Sequence, residues 1–367
     1  MADKKTRSMV LEGPGQMKMR EFDIPSIKDD DALLKVEMTG VCGSDPGIYK
    51  GKAFKAPRPY PIIMGHEIIG TIEKLGRHFG EKNGLKEGDR VIVEYAFGCG
   101  ECFSCLTGNY VTCEKNYNYG SMISCRNPPH LFGGYGQHVY LHPRAMVHKV
   151  SKEISAETGI LICAVLGNAI RWLRMKGNVS IGETVVIIGP GQQGMAAVIA
   201  ARESGASNII VAGIGKDKKR FELAERFGAN LCVDVEKEDL VGVVKEITGG
   251  NMADIAMDVS GSGKGVKALF DVVGRHGRVI LPGLYGADKE IPVVLDKIVT
   301  KELTVLGVFS QNINSVLPAI KLAESGKYPL EEIITHRFPL EEAEKAVRLA
   351  GGLITGEDLF FKAVIVP

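Results

Sequence analysis

From about residue 160 onward, apolar runs typical of strands alternate with helical stretches, and this alternation restricts the fold more than any other feature of the sequence. Continuous apolar strands separated by helices indicate a parallel sheet with both faces covered. The second part of the chain is therefore expected to form an α/β domain with a doubly wound parallel sheet. The predicted strands are 184–189, 208–212, 253–259, 278–282 and 303–309, with helices at 194–204 and 217–227.

The first third of the chain is expected to be β-rich, because short alternating runs such as 33–37 and 90–94 lie between turn residues. After residue 309, a helix at 315–325 and a final strand within 360–366 fall outside the strand–helix alternation. We expect this tail to pack on the first domain, so the predicted segments are 1–163, 164–309 and 310–367. The longest irregular stretch is 115–136, and loops of that length are usually functional or disordered.

The strongest local signal is a group of cysteines within residues 98–114. Four cysteines separated by two, two and seven residues can place their thiolates at the corners of a tetrahedron around one zinc ion. Such a site leaves no open coordination position for a substrate. The alternatives are a set of buried thiols or an iron–sulfur cluster. The proline that usually follows the last ferredoxin cysteine is absent, since Glu114 stands there. We predict a structural zinc bound by Cys99, Cys102, Cys105 and Cys113.

A glycine-rich loop follows the first predicted strand of the parallel sheet and opens a helix. That context is what distinguishes a dinucleotide-binding loop from a chance spacing among 45 glycines. A pyrophosphate would approach the backbone at the second glycine and lie at the helix N-terminus. The cofactor-binding residues predicted in this loop are Gly189, Gly191, Gln192, Gln193 and Gly194.

A second metal site is predicted in the first domain from Cys42 and His66, with Glu67 as a neighbouring carboxylate or occasional ligand. A core cysteine and a hydrogen-bonded histidine would be the ordinary interpretation if this pair stood alone. A catalytic zinc needs three protein ligands and one open position, and Cys163 is the candidate for the third. A buried apolar thiol is the alternative for Cys163. Two other thiols, Cys125 and Cys232, are interpreted as a loop thiol and a strand thiol.

The end of the second strand of the parallel sheet favours NADP over NAD. An acidic residue usually binds the adenosine ribose about 20 positions after the glycine loop, but here Gly213 stands there. Small Gly213 and Gly215 would leave room for a 2′-phosphate, and Lys216, Lys218 or Arg220 could pair with it. The alternatives are a solvated helix start with Asp217 as its N-cap, or an Asp217 that turns to the ribose and permits NAD.

The bulk composition excludes several classes of partner. Hydrophobic residues make up 45% of the 367 and charged residues 24%, as in ordinary globular proteins. With 45 Lys+Arg against 44 Asp+Glu, no charge excess favours nucleic acid or an anionic membrane. The charged start is unlike a signal peptide, and no apolar run is expected to reach the about 18 residues of a membrane helix. We therefore expect a cytoplasmic protein without disulfides.

Together these motifs resemble the zinc-dependent medium-chain alcohol and polyol dehydrogenases. The resemblance runs from residues 40–45 to 361–365 and includes 65–67, the four cysteines, 189–194 and 335–340. It implies a GroES-like catalytic domain interrupted in sequence by a Rossmann domain, and hydride transfer between an alcohol and NAD(P). It also implies two zinc ions per chain, a small alcohol or ketone substrate, and a homodimer or homotetramer.

By the same resemblance, Cys42 and His66 match the first two ligands of the catalytic zinc, and Glu67 matches the adjacent glutamate. Ser44 matches the hydroxyl that bonds the substrate alcohol and starts a proton relay. Cys163 matches the third ligand in one branch, whereas the polyol branch carries Glu-Pro near Ala164. Many relatives have a relay histidine where this chain has Gly47, so protons must leave by another route.

Two other functions are compatible with parts of this pattern. One is a zinc-free enone or quinone reductase of the same fold, against which intact Cys42, His66 and Glu67 argue. The other is a dinucleotide-binding redox sensor that has kept the zinc lobe and lost turnover.

Overall fold

The computed structural model describes residues 5–52, 57–115, 117–286, 289–354 and 360–367. The chain divides into two compact units, Met1–Ala164 with Val316–Pro367, and Val165–Ser315. The strands are β1 (Lys5–Gly13), β2 (Gln16–Asp23), β3 (Ala32–Gly40), β4 (Ile62–Ile63), β5 (Glu67–Leu75), β6 (Arg90–Val93), β7 (His138–Leu141), β8 (Val147–Lys149), β9 (Thr184–Ile188), β10 (Asn208–Gly213), β11 (Leu231–Asp234), β12 (Ala253–Asp258), β13 (Val273–Leu281), β14 (Thr304–Gly307), β15 (His336–Pro339) and β16 (Ala363–Val366).

The α-helices are α1 (Asp45–Tyr49), α2 (Arg77–Asn83), α3 (Phe103–Leu106), α4 (Ala156–Leu161), α5 (Gln192–Glu203), α6 (Lys218–Arg226), α7 (Leu240–Ile247), α8 (Gly263–Val272), α9 (Leu295–Thr300), α10 (Ile313–Glu324) and α11 (Ala343–Ala350). Helix α4 continues with π-helical geometry through Ile162–Gly167 and Ile170–Lys176. Short 3₁₀ turns lie at Tyr110–Thr112, Gly215–Asp217, Leu330–Ile333 and Leu340–Glu342.

The first unit is built on two β-sheets. A three-stranded sheet has the order β2-β1-β4, and a larger sheet has the order β15-β16-β3-β5-β6-β8, with β7 also paired to β3. Strand β3 is antiparallel to β5, so that Gly40 lies opposite Glu67. Strand β16 is antiparallel to β3 on its other side, with Val364 opposite Gly40. The last strand of the chain thus lies beside the end of β3.

The second unit contains one parallel sheet in the order β11-β10-β9-β12-β13-β14. Counted from β9, this is the order 3-2-1-4-5-6 of the Rossmann fold. All five residues of β9 are buried, because helices cover a doubly wound sheet on both faces. The predicted doubly wound parallel sheet is therefore confirmed.

One expectation about apolar runs is wrong. The helical stretch Ala156–Lys176 is 21 residues long and apolar enough to cross a membrane by length and composition. However, 89% of its most apolar window is buried inside the protein. Such burial is typical of the core helix of a globular protein, which needs a continuous apolar surface for the same physical reason as a membrane helix.

Candidate functional site

The paired strands β3 and β5 bring three metal-binding side chains together in the first unit. Because Gly40 faces Glu67, Cys42 follows the end of β3 close to the point where His66 precedes β5. The Cys42 thiol, an imidazole nitrogen of His66 and a carboxylate oxygen of Glu67 all lie within 4.8 Å of one another. Thiolate, imidazole and carboxylate are the donor groups that zinc accepts, so this set fits the metal.

Asp45, to which the sequence analysis gave no role, holds this cluster in place. Its fully buried carboxylate accepts hydrogen bonds from the Cys42 N–H at 2.8 Å and from the Tyr135 hydroxyl at 2.7 Å. Its other oxygen, Oδ1, lies 3.6 Å from His66 Nδ1 and has no hydrogen-bond partner among the described residues. Carboxylates in this position orient a ligating imidazole and raise its basicity. Asp45 thus positions the Cys42 backbone by a hydrogen bond and places a carboxylate oxygen close to the His66 ring.

The electrostatics of the cluster favour a bound cation. Burial lowers the pKa of His66, but Cys42, Asp45 and Glu67 together outweigh that effect and raise the pKa to about 10. Burial also raises the pKa of Asp45 above its ordinary value. Several acidic groups therefore surround His66 where water is scarce, and a divalent ion would neutralise them.

Glu67 also belongs to a buried ion pair that the sequence analysis did not identify. Lys362 Nζ donates to Glu67 Oε2 at 2.5 Å and to the Val41 carbonyl at 3.2 Å, and both charged side chains have 0% exposure. A Cβ at Gly40 would lie 2.1 Å from Glu67 Oε2, so glycine is required beside the pair. Glu67 Oε1 is buried without a hydrogen-bond donor among the described residues, which leaves its lone pairs available to a metal.

The two other predicted residues of this site have different surroundings. Ser44 is exposed at the start of α1, and its hydroxyl does not cap the helix. Cys163 is buried in the π-helical turn and does not belong to the group of Cys42, His66 and Glu67, whose donor atoms lie within 4.8 Å of one another. Burial raises the pKa of the Cys163 thiol well above its ordinary value, with smaller contributions from Glu94 and Glu67.

The four cysteines of residues 98–114 also come together, with all four sulfurs within 4.8 Å of one another. The Sγ atoms of Cys99 and Cys105 are 3.9 Å apart, and those of Cys102 and Cys113 are 4.0 Å apart. A tetrahedron with Zn–S bonds of about 2.3 Å has edges of about 3.8 Å, so the geometry fits a single zinc ion.

The thiols of this lobe differ in how easily they ionise. Backbone N–H donors of Glu101 and Cys102 lower the pKa of Cys99 to about 6, whereas burial raises the pKa of Cys105 to about 12. Burial thus opposes the ionisation of Cys105, and a divalent cation bound by the four sulfurs would favour its thiolate form.

The glycine loop of the second unit has the geometry of a phosphate cradle. Gly189 has φ 108°, and a Cβ there would lie 2.6 Å from the backbone N of Ser260. At Gly194 a Cβ would lie 2.1 Å from the Gly189 carbonyl, so both positions need glycine for close packing. Nothing lies within 4 Å of a Cβ at Gly191, which leaves the N-terminal end of α5 open where Gln192 and Gln193 begin the helix.

The structure around Gly213 differs from the prediction in two respects, which are the space beside this residue and the presence of a carboxylate nearby. A Cβ at Gly213 would lie 2.9 Å from both Phe221 and Pro190, so this position offers no spare room. A carboxylate is present after all, because Glu236, from the turn after β11, accepts a hydrogen bond from the Gly215 N–H at 2.9 Å. Lys216 and Lys218 are exposed, as a phosphate contact would require.

Asp217 is not free to turn towards a ribose. One oxygen accepts a hydrogen bond from Arg220 at 2.8 Å, the other accepts from the Ile214 N–H at 3.1 Å, and the residue is only 4% exposed. It precedes α6 as predicted, but its side chain does not cap that helix.

A cluster of thiol, imidazole and carboxylate in one unit, with a nucleotide-binding sheet in the other, defines a metal-dependent dehydrogenase linked to a nicotinamide cofactor. Comparison with known protein families supports the same class of enzyme. The model of the alcohol dehydrogenase GroES-like domain matches residues 28–152, and that of the zinc-binding dehydrogenases matches residues 194–325.

Three relatives are close in sequence or structure. A probable alcohol dehydrogenase of Mycobacterium tuberculosis is 35% identical over 352 residues, and D-arabitol-phosphate dehydrogenase of Enterococcus avium is 32% identical over 346 residues. In both comparisons 94% of each chain is covered. The crystal structure of an alcohol dehydrogenase from Thermotoga maritima superposes with a TM-score of 0.89 at 29% identity, covering 99% of this chain and 100% of that one.

The chain belongs to the zinc-type alcohol dehydrogenase family. The predicted GroES-like and Rossmann folds are confirmed, and so is the prediction of a zinc-dependent oxidoreductase that transfers a hydride between an alcohol and NAD(P). None of the three relatives is named as an enone reductase or a sensor, so the two alternative functions gain no support.

Proposed function

We propose that the protein oxidises secondary alcohols or polyols at the cluster formed by Cys42, His66 and Glu67. The observation that carries this proposal is the placement of all three donors within 4.8 Å, beside a buried Asp45 that already contacts two of these residues. A zinc ion held there would act as a Lewis acid on the substrate oxygen. The relatives named as alcohol and polyol-phosphate dehydrogenases support the same substrate class.

Separate residues of the chain would bind the metal, transfer the proton and bind the cofactor. Cys42 and His66 hold the metal, while Asp45 fixes the orientation of the His66 ring. The exposed Ser44 hydroxyl, which is not used to cap α1, would accept the proton of the substrate hydroxyl while releasing its own proton to water. No side chain at Gly47 can serve as the next carrier. Gly189, Gly191 and Gly194 seat the pyrophosphate of the cofactor.

Two side chains compete for the third metal position. Glu67 has a carboxylate oxygen within 4.8 Å of the donor atoms of Cys42 and His66, and its Oε1 accepts no hydrogen bond from a described residue. Cys163 lies close enough to Glu67 for that carboxylate to raise the pKa of its thiol. The Cys163→Ala variant separates them by metal analysis. If Cys163 is the ligand, that variant keeps only the zinc of the four-cysteine lobe, and if Glu67 is the ligand, it keeps two zinc ions.

The function itself is tested by turnover of secondary alcohols, polyols and hydroxy acids with both cofactors. His66→Ala should abolish turnover and leave cofactor affinity unchanged, because His66 lies in the first unit and the cofactor residues lie in the second. His336→Ala is the matched control, since that side chain lies on β15 and contacts Thr335. Alcohol oxidation by metal-depleted His66→Ala protein would contradict the proposal.

For the cofactor, we propose a modest preference for NADP. The exposed Lys216 and Lys218 can pair with a 2′-phosphate, and the exposed Glu236 can leave Gly215 at little cost. Glu236→Gln should then lower the Michaelis constant for NADP, and Lys218→Ala should raise it. An unchanged ratio of the two cofactors' constants in both variants would contradict the assignment.

We also propose that the protein is a homodimer, which is one of the two assemblies that the sequence analysis left open. Strand β14 is an edge of the six-stranded sheet, its Val305 is 39% exposed, and no residue of the nearby α9 is buried. Unpaired edge strands flanked by exposed apolar residues are sites of association. Light scattering should give twice the chain mass, and Val305→Lys should reduce it to one chain.

A further inference from the structure

Arg58, in the first unit, forms no ion pair with any residue that the structure describes. Its Nε lies 3.4 Å from the Lys52 carbonyl, and its Nη1 lies 3.4 Å from Met122 Sδ. Both distances are long for a guanidinium donor, and sulfur is a weak acceptor. No carboxylate of a described residue lies within 4.0 Å of this side chain, although it is half-buried. Its strongest hydrogen-bonding capacity is therefore unused.

Two described residues on either side of Arg58 contact the helix that begins beside the metal cluster. Lys52 N donates to the Gly47 carbonyl at 2.9 Å, and the Tyr60 hydroxyl donates to the Ile48 carbonyl at 3.5 Å. Both acceptors belong to α1, which begins at Asp45. Burial lowers the pKa of Arg58, while Tyr60 and Asp45 act in the opposite direction. Asp45 is thus near enough to influence Arg58, and it also lies 3.6 Å from His66.

Asp45 cannot serve as the missing partner. Its carboxylate is fully buried, neither of its oxygens lies within 4.0 Å of the guanidinium, and one oxygen already accepts hydrogen bonds from Cys42 and Tyr135. The exposed Lys50 and Lys52 add further positive charge to the same segment. A half-buried guanidinium in such surroundings has lost part of its hydration without regaining it from a carboxylate. Its planar fork matches a carboxylate or phosphate group, which can accept two parallel hydrogen bonds.

We infer that Arg58 binds an anionic group, a carboxylate or a phosphate, that the substrate alcohol carries away from the carbon undergoing oxidation. This rests on the proposed function, since it assumes that the alcohol binds at the cluster of Cys42, His66 and Glu67. The substrate class is then narrowed to hydroxy acids and polyol phosphates. Arg58 fixes specificity and takes no part in proton or hydride transfer.

The test uses matched pairs of alcohols that differ in charge. One pair is a pentitol phosphate and the same pentitol, and the other is a hydroxy acid and its primary amide. For the native enzyme we expect the anionic member of one pair to have the higher kcat/KM. Arg58→Gln should lower kcat/KM for that anionic alcohol about 10- to 100-fold, through KM, because a charge-assisted hydrogen bond is lost. The neutral member should be unaffected, and Arg58→Lys should recover part of the loss.

Arg126→Gln is the control, because Arg126 is an exposed arginine in the same unit and its loss changes the net charge equally. The anion is identified by the pair of alcohols in which Arg58→Gln lowers kcat/KM for the charged member. It is a phosphate if this is the pentitol pair and a carboxylate if it is the hydroxy acid pair. Binding of all four alcohols is also measured by calorimetry in the presence of reduced cofactor, which does not require turnover.

The outcomes separate this inference from the proposed function. If no alcohol is oxidised, yet the anionic member binds more tightly and Arg58→Gln removes the difference, the proposed reaction fails and the role of Arg58 stands. If charged and neutral members bind equally, or if Arg58→Gln and Arg126→Gln have equal effects, the inference is overturned whatever the turnover.

Discussion

The buried pair of Lys362 and Glu67 allows a quantitative test of how the metal cluster is held together. Lys362→Met keeps an unbranched side chain but removes the ammonium group that contacts Glu67 and the Val41 carbonyl. Both charged side chains have 0% exposure, so water cannot replace the lost donor without local opening. Removing one partner of a buried ion pair costs about 3–5 kcal/mol of unfolding free energy. We expect a loss of that size in metal-depleted protein.

Two further variants show whether this loss comes from the pair itself. Adding Glu67→Gln to Lys362→Met removes the charge that was left unpaired, so it should recover at least half of the lost stability. Lys345→Met removes an exposed lysine that is paired with Glu342, and it should change stability by no more than about 0.5 kcal/mol. Zinc should reduce the cost of Lys362→Met, because a cation beside Glu67 takes over part of the role of the ammonium group.

Urea unfolding, followed by circular dichroism with and without zinc, gives the free energies. Hydrogen exchange of the β16 amides reports on the first unit alone, which matters because the two units need not unfold together. The reasoning is refuted if Lys362→Met behaves like Lys345→Met, or if adding Glu67→Gln deepens the loss.

Three further outcomes are expected. Cys105→Ser should reduce the zinc content from two equivalents to one in elemental analysis, and loss of both or neither would show that the two sites are not separate. Tyr135→Phe should weaken zinc binding about tenfold in competition with a chelator, because Asp45 loses one of its hydrogen-bond donors, and an unchanged affinity would leave Tyr135 as a packing residue only. Burial, with Arg144 and Lys82, lowers the pKa of His142 to about 4, so the unfolded state takes up a proton first and stability falls as the pH drops below about 6.5. After allowance for solvent screening, the free energy of unfolding should fall by about 1 kcal/mol between pH 7 and pH 5 because of this residue. Urea unfolding at several pH values should show a smaller fall for His142→Asn, and parallel profiles for the two proteins would contradict the prediction.

Features that depend on neighbouring residues could be predicted from the sequence. The parallel sheet was predictable because its central strands, such as β9 and β10, are apolar and largely buried runs between helices. The four cysteines of the lobe lie within one short segment, 99–113, so their spacing restricts the geometry directly. Cys42 and His66 lie farther apart, but each borders one of two antiparallel strands that pair directly.

Residues whose partners are distant in sequence could not be predicted. Asp45 and Tyr135 are separated by 90 positions, and Glu67 and Lys362 by 295. No period or spacing connects such residues, because their contact depends on the order of strands in the sheet. The prediction around Gly213 missed a carboxylate for the same reason, since Glu236 reaches Gly215 from the turn after a different strand.

The long separation between Glu67 and Lys362 also sets an order of events during translation. A ribosome that adds about 5–20 residues per second needs roughly 15–60 s to travel the 295 positions between them. The whole segment Val165–Ser315 is synthesised in this interval, and its described strands pair only with one another, so its sheet can close first. Until β16 emerges, the Glu67 carboxylate has no ammonium partner. The nascent chain therefore completes the surroundings of its metal cluster late, although Cys42 is made early.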